Sequence, residues 1–384
     1  MFLQQITEQN PQLVQEAIRR HQSGEILPDT FLVDLDTLLD NAEKIKRTAD
    51  QHHIDLYFML KQLGHNPYIA EKLLEIGYPG AVVVDWKEAE LMMQHRIPIM
   101  NAGHLVQPPA AFVRRLVDYG CEYFTVYTLE KIREINEAAK AAGIVQKLLL
   151  RITDDNSVIY SGQSAGFRLA ELDGLIRKTE QFDHVRIAGV TSFPCFLYSE
   201  KNNRIEPTQN MESLQKAKEI LERHGLCNLN INAPSATCVS SLQQMDPYGV
   251  TSSEPGHGLT GTTPLHAHGI QEEKPCVLYL SEVSHNYDHK AYIYGGGYYR
   301  RGHVRHALVY HDGIREYANV QPPALDSIDY HFELDHEFPV GSTVIMAFRF
   351  QIFTSRSDVC LIEGMRAGRP KIAGFYDSFG KPEK

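Results

Sequence analysis

The stretch Leu56-Tyr57-Phe58-Met59-Leu60-Lys61 decides how the chain folds. Five apolar, aromatic-rich residues with polar flanks form the pattern of a strand buried on both faces of a parallel sheet. A lysine closes the run, and a helical pattern follows from about Asn66 to Ile76. In a parallel α/β barrel the chemistry sits at the C-terminal strand ends. A lysine there, partly desolvated by apolar surroundings, has a lowered pKa and an amine free to condense with a carbonyl.

Outward from that run, strands and helices alternate. Strand-like segments recur at 81–84, 97–100, 123–126, 147–152, 185–191, 228–231 and 251–254, with helical patterns such as 88–95, 129–142, 170–180 and 211–224 between them. This alternation predicts a (β/α)8 barrel. An open doubly wound sheet fits less well, because no Gly-x-Gly-x-x-Gly follows a first strand. Upstream, Pro11–His21 reads as a helix, Phe31–Leu35 as a strand, and Asp36 as the cap of a helix reaching about Ala49. The texture changes after Ile270. Short runs at Val277–Val283, Ala291–Tyr294, Arg305–Tyr310, Ser342–Phe350 and Lys371–Ala373, separated by Pro and Gly turns, predict a mostly antiparallel β domain. The expected division is a helical lead-in (1–29), the barrel (30–270) and the β domain (271–384).

Composition narrows the partners. The chain has 384 residues, 43% of them hydrophobic and 22% charged, as in an ordinary globular protein. Its 38 basic and 48 acidic residues give a formal charge of −10, which argues against nucleic acid or an anionic membrane as partner. No apolar run approaches the ~20 residues of a membrane span. The N-terminal segment lacks a signal-peptide core, and the six cysteines form no CxxC pair. Free thiols, a cytoplasmic location and no metal site are the expectation.

The unusual residues fall at the C-terminal strand ends. Lys61 follows the first barrel strand and Arg151 lies in or at the end of the fifth. Ser192 and Phe193 follow the sixth, Asn232–Thr237 the seventh, and Ser253-Glu254-Pro255-Gly256-His257-Gly258 the eighth. Ser235, Thr237, Gly256 and Gly258 offer hydroxyl and backbone donors suited to a phosphate. Glu254 offers a carboxylate to keep a ring nitrogen protonated. With Lys61, these are the parts of a pyridoxal 5′-phosphate (PLP) site.

From about Thr30 onward the chain resembles the fold-type III PLP enzymes: alanine and ornithine racemase, and the ornithine and diaminopimelate decarboxylases. Within that group it closely resembles the bacterial YhfX-like proteins. Phe31–Asn41 resembles the opening strand and helix of that group, Tyr57–Lys61 the strand ending in its Schiff-base lysine, and Gly64–Gly77 the segment that follows in ornithine racemase. Lys147–Asp155 resembles a decarboxylase segment whose arginine lies near the cofactor, a role that passes to Arg151. Pro234-Ser235-Ala236 is similar to the racemase loop whose serine binds phosphate. Glu254-Pro255-Gly256 matches the decarboxylases, where alanine racemase has an arginine in place of the glutamate. The decarboxylases continue with another arginine, replaced here by His257. Tyr376 resembles their late phosphate-binding tyrosine.

Thr354-Ser355-Arg356-Ser357-Asp358 stands where the decarboxylases carry a Cys-acid-x-x-Asp segment reaching a partner's site. Only Asp358 is kept, so cationic substrates are poorly supported, and Arg356 could face a carboxylate. The resemblance therefore implies a homodimeric PLP enzyme acting at the Cα of an amino acid, racemase-like. Lys61, Glu254, Arg356 and Asp358 would be the catalytic residues. Lys61, Arg151, Ser192, Ser235, Thr237, Glu254, Gly256, His257 and Tyr376 would hold the cofactor. A decarboxylase or lyase of the same fold is the alternative within enzymes, and a non-catalytic PLP-binding homeostasis protein the alternative outside them.

Overall fold

A computed structural model describes residues 2–324 and 326–383. The chain divides into two compact units. One comprises Ile45–Leu60 and Pro67–Gly256, and the other Met1–Lys44, Lys61–Asn66 and His257–Lys384.

The first unit is the expected barrel. Its eight strands are Asp55–Phe58, Gly80–Val82, Ile99–Ala102, Tyr123–Val126, Gln146–Thr153, Val185–Thr191, Asn230–Asn232 and Ser252–Ser253. Each pairs in parallel with its sequence neighbour, and Ser252–Ser253 closes the ring onto Asp55–Phe58 with Ser252 opposite Asp55. Leu56, Tyr57 and Phe58 are buried, which is why this strand reads as an unbroken apolar run. The sixth and seventh strands approach so closely at Gly189 that a Cβ there would collide with the Asn230 carbonyl. Helices Pro67–Ile76, Trp86–Gln94, Ala110–Tyr119, Leu129–Ala142, Leu172–Thr179 and Gln209–Arg223 lie between strands. Their caps follow the sequence: Asp85 accepts from Lys87 and Glu88, and Gly120 and Gly143 end their helices in the left-handed conformation.

The second unit is built on a ten-stranded sheet. Its strands run in the order Lys290–Tyr294, His331–Leu334, Ile314–Gln321, His306–His311, Thr343–Met346, Val277–Tyr287, Thr30–Asp34, Asp358–Glu363, Lys371–Tyr376 and Pro382–Glu383. All the pairings are antiparallel except that of Thr30–Asp34 with Asp358–Glu363. Helix Phe2–Gln9 packs Leu3 and Ile6, and helix Pro11–Gln22 packs Leu13, Val14, Ala17 and Ile18, into its core with Leu278, Leu280 and Ile345.

Two local expectations change. The strand Thr30–Asp34, expected at the head of the barrel segment, pairs instead with Val277–Tyr287 and Asp358–Glu363. All five of its residues are buried, and this sheet pairs the strand along both edges. The helix expected to be capped by Asp36 begins at Leu35, and Asp34 accepts from the Thr37 N–H (3.1 Å) and hydroxyl (2.6 Å). Asp36 accepts from the backbone N–H groups of Gly364 and Arg366 instead.

A half-buried acidic residue in this unit, Asp29, gives a pH-dependent prediction. Gly296, at φ +129°, passes so close to the Asp29 carboxylate that no Cβ fits. Burial pushes the Asp29 carboxyl up to about 6, against the opposing influence of Ser357 and Arg356. Between about pH 4 and pH 6 the folded chain therefore keeps a proton that the unfolded chain has lost. Asp29 costs nothing at acid pH and becomes a burden as pH rises through its folded pKa. Relative to Asp29→Asn, the wild type should lose about 2–3 kcal/mol of stability between about pH 4 and pH 7. Denaturant midpoints of the two proteins across that range check this; a constant difference refutes it.

Candidate functional site

In the barrel unit the candidate residues collect around Glu254, which follows the eighth strand and is 7% exposed. Asn101, on the third strand, donates from Nδ2 to Glu254 Oε1 (3.3 Å), and its Oδ1 accepts from the Thr125 hydroxyl (2.9 Å) on the fourth. His104 Nε2 lies 3.7 Å from Glu254 Oε2, and the His104 ring meets Phe193 edge-on at 5.5 Å. Arg151, in the fifth strand, is buried. It donates to the His104 carbonyl (3.1 Å), the Tyr127 hydroxyl (3.0 Å) and the Gln163 carbonyl (3.0 Å), with its guanidinium 5.1 Å from the Tyr127 ring centroid. The arginine thus fixes the segments bearing His104 and Gln163.

The phosphate candidates lie on adjoining strand ends. Ser192 follows the sixth strand, and its hydroxyl donates to the Ile152 carbonyl (3.0 Å). After the seventh strand, Ser235 (φ +99°) and Ala236 (φ +50°) both adopt left-handed backbone. Two consecutive non-glycine residues in that region form a strained turn of the kind found at ligand sites. Thr237 and Ser253 are buried and share a hydroxyl contact of 2.8 Å, and the Ser253 hydroxyl donates to the Ala233 carbonyl (2.8 Å). Gly256, in the buried Glu-Pro-Gly turn, follows directly, and the Pro255 carbonyl accepts from the Met59 N–H (2.9 Å).

The remaining candidates belong to the other unit. Lys61 is half-buried and opens the 3₁₀ turn Lys61–Leu63. His257 is buried, its Nδ1 2.8 Å from the Thr262 hydroxyl and its Nε2 accepting from the Gln351 amide (3.2 Å). Burial keeps this imidazole neutral, well below its usual range, and the nearby cations Arg349 and Lys61 act in the same direction. It therefore brings no positive charge to replace the decarboxylase arginine. Arg356 donates to the carbonyls of Asp329 (2.7 Å) and Gly295 (3.3 Å), lies 3.7 Å from Asp29 Oδ2, and stands over the Tyr330 ring. Asp358 begins its strand, its N–H bonded to the Asp29 carbonyl, and burial raises its carboxyl pKa. Tyr376 ends the strand Lys371–Tyr376, buried opposite Val359.

Asn101, Thr125, Tyr127 and Gln163 are absent from the sequence expectation. One signal was legible: Asn101 and Thr125 interrupt apolar strand runs, and a polar side chain inside a barrel strand needs a partner. The residues present fit PLP. A buried carboxylate held by an amide donor, a strained left-handed turn lined with hydroxyls, and a lysine continuing the first barrel strand are the donor types its ring nitrogen, phosphate and aldehyde require.

Residues 33–264 match the family described as Alanine racemase, N-terminal domain, and residues 278–372 match YhfX-like, C-terminal domain. The chain is 43% identical over 382 residues to the uncharacterized protein YhfX of Escherichia coli (strain K12), covering 99% of both. Among solved structures, alanine racemase of Clostridium difficile 630 in complex with cycloserine has a TM-score of 0.66 at 16% identity, over 92% of this chain and 99% of that one. D-threonine aldolase from Filomicrobium marinum gives 0.64 at 15%, over 92% and 95%. D-threo-3-hydroxyaspartate dehydratase from Delftia sp. HT23 gives 0.66 at 16%, over 90% and 97%. At these identities the likeness establishes the fold.

Proposed function

Because the chain belongs to the alanine racemase N-terminal-domain family, whose cofactor is PLP, and carries a YhfX-like C-terminal domain, we propose that it is an enzyme acting at the Cα of an amino acid, with racemisation as its reaction. The observation that supports chemistry at Cα, common to both reactions weighed below, is the buried Glu254 carboxylate, held by an amide donor one residue beyond a strand paired with the strand that runs on to Lys61. When bound, PLP supplies a protonated ring that draws electron density from Cα. Lys61 would hold the cofactor through Nζ, and its amine would be the group that moves a proton at Cα. Glu254 keeps a proton at the ring nitrogen. Ser235, Thr237 and Gly256 hold the phosphate, with Ser192 and Tyr376 in support. Arg151 positions the backbone around His104.

Racemisation is favoured over decarboxylation because the decarboxylases' substrate motif is altered, with Ser355 in place of its acidic residue. A lyase reaction is the second reading, supported by the Glu-Pro-Gly that this chain shares with decarboxylases. Incubating the PLP-loaded protein with a panel of amino acids, following chirality, CO2 and carbonyl products together, separates them. Loss of optical activity without CO2 or carbonyl release is the expected result; stoichiometric release of either product refutes racemisation.

We also propose a head-to-tail homodimer in which residues 354–358 complete the partner's site. Sedimentation should give twice the 43.6 kDa chain mass at micromolar concentration. A fully active monomer refutes this.

A further inference from the structure

The third and fourth barrel strands each carry one polar residue among apolar neighbours: Asn101 in Ile99–Ala102, 0% exposed, and Thr125 in Tyr123–Val126, 1% exposed. Both side chains are spent on one task. The Thr125 hydroxyl has a single proton and gives it to Asn101 Oδ1, an atom that can only accept. With Oδ1 facing Thr125, Asn101 Nδ2 points at Glu254 Oε1. The reversed amide would turn lone pairs toward the glutamate and suit only its protonated form. The chain of donors thus runs from Thr125 through Asn101 to the Glu254 carboxyl. At 3.3 Å the last bond is long for one to a carboxylate, and such bonds tighten when the ligand arrives.

We propose that Asn101, braced by Thr125, is the positioning residue that holds Glu254 ionised and oriented toward the ring nitrogen of the cofactor. The inference rests on the reading of Glu254 given above. In a buried acid–base pair the proton lies on the ring nitrogen only while the carboxylate is the better stabilised anion. Removing the amide donor makes Glu254 more basic, and the proton moves onto it.

The nitrogen chemical shift of isotopically labelled PLP, followed across pH in the loaded protein, reads this proton directly. Wild-type protein should hold the ring nitrogen protonated across neutral pH. Asn101→Leu should lower the protonated-to-unprotonated ratio by about tenfold or more, the effect of losing one hydrogen bond to a charged group. Thr125→Val, which removes only the hydroxyl, should move it the same way by a smaller factor and guards against a folding failure of the first variant. A purely structural role for the pair would change melting temperature and leave the nitrogen titration as in wild type. The proposal is overturned if both variants, folded and loaded, titrate like wild type while Glu254→Gln displaces the shift. If Glu254→Gln leaves the shift unmoved as well, the ring-nitrogen role of Glu254 is overturned with it.

Discussion

Lys61→Ala is expected to yield a folded protein that borohydride can no longer join covalently to PLP, with activity lowered by at least about a thousandfold. That factor corresponds to ~4 kcal/mol of lost transition-state stabilisation, a modest demand when one amine both tethers the cofactor and moves the proton. The fold should survive. Lys61 is half-buried at the start of a three-residue turn, and its buried neighbours Gln62 and Leu63 are untouched by the change. Peptide mapping after reduction of the wild type should find the phosphopyridoxyl group on Lys61. Finding it on another lysine, with Lys61 unmodified, removes the assignment and the mechanism built on it.

The second large effect is at Glu254. Glu254→Gln should retain PLP, because the tether and the phosphate loops are intact, yet lose about a hundredfold in turnover. A hydrogen bond to a charged group contributes on the order of 1.5–3 kcal/mol, and ~3 kcal/mol is roughly two orders of magnitude in rate. The neutral amide is easier to bury than the carboxylate, so stability should hold or rise slightly. Glu254→Arg should be more damaging to turnover, since a guanidinium repels the ring proton that the carboxylate retains. Wild-type turnover by Glu254→Gln would show that the ring nitrogen has another partner.

Much of this protein is legible in one dimension, for a physical reason. A strand of a closed parallel barrel is buried on both faces, so Leu56–Leu60 reads as an unbroken apolar run, and the residues that follow such runs are at strand ends by construction. Lys61, Ser192, Ser235 and Glu254 could be placed in that way. Glu254-Pro255-Gly256 was informative too, because a carboxylate and an arginine at one position imply opposite ring-nitrogen chemistry.

Tertiary structure decided the rest, because the decisive partners are far apart in the chain. Thr30–Asp34 has the apolar pattern of a barrel strand, and only its pairing with residues near 280 and 360 places it in the other sheet. Asp34 and Asp36 are equally good helix caps by type. The choice fell to Asp34 because Asp36 meets the backbone of Gly364 and Arg366. Arg356 reads as a free cation in sequence, yet its guanidinium is engaged by the carbonyls of Gly295 and Asp329. Asn101 lies 153 positions from Glu254. Local pattern sets which residues are buried and where strands end, but the amide that meets the buried Glu254 carboxylate is chosen by the closure of the barrel, which brings separate strands within hydrogen-bond reach.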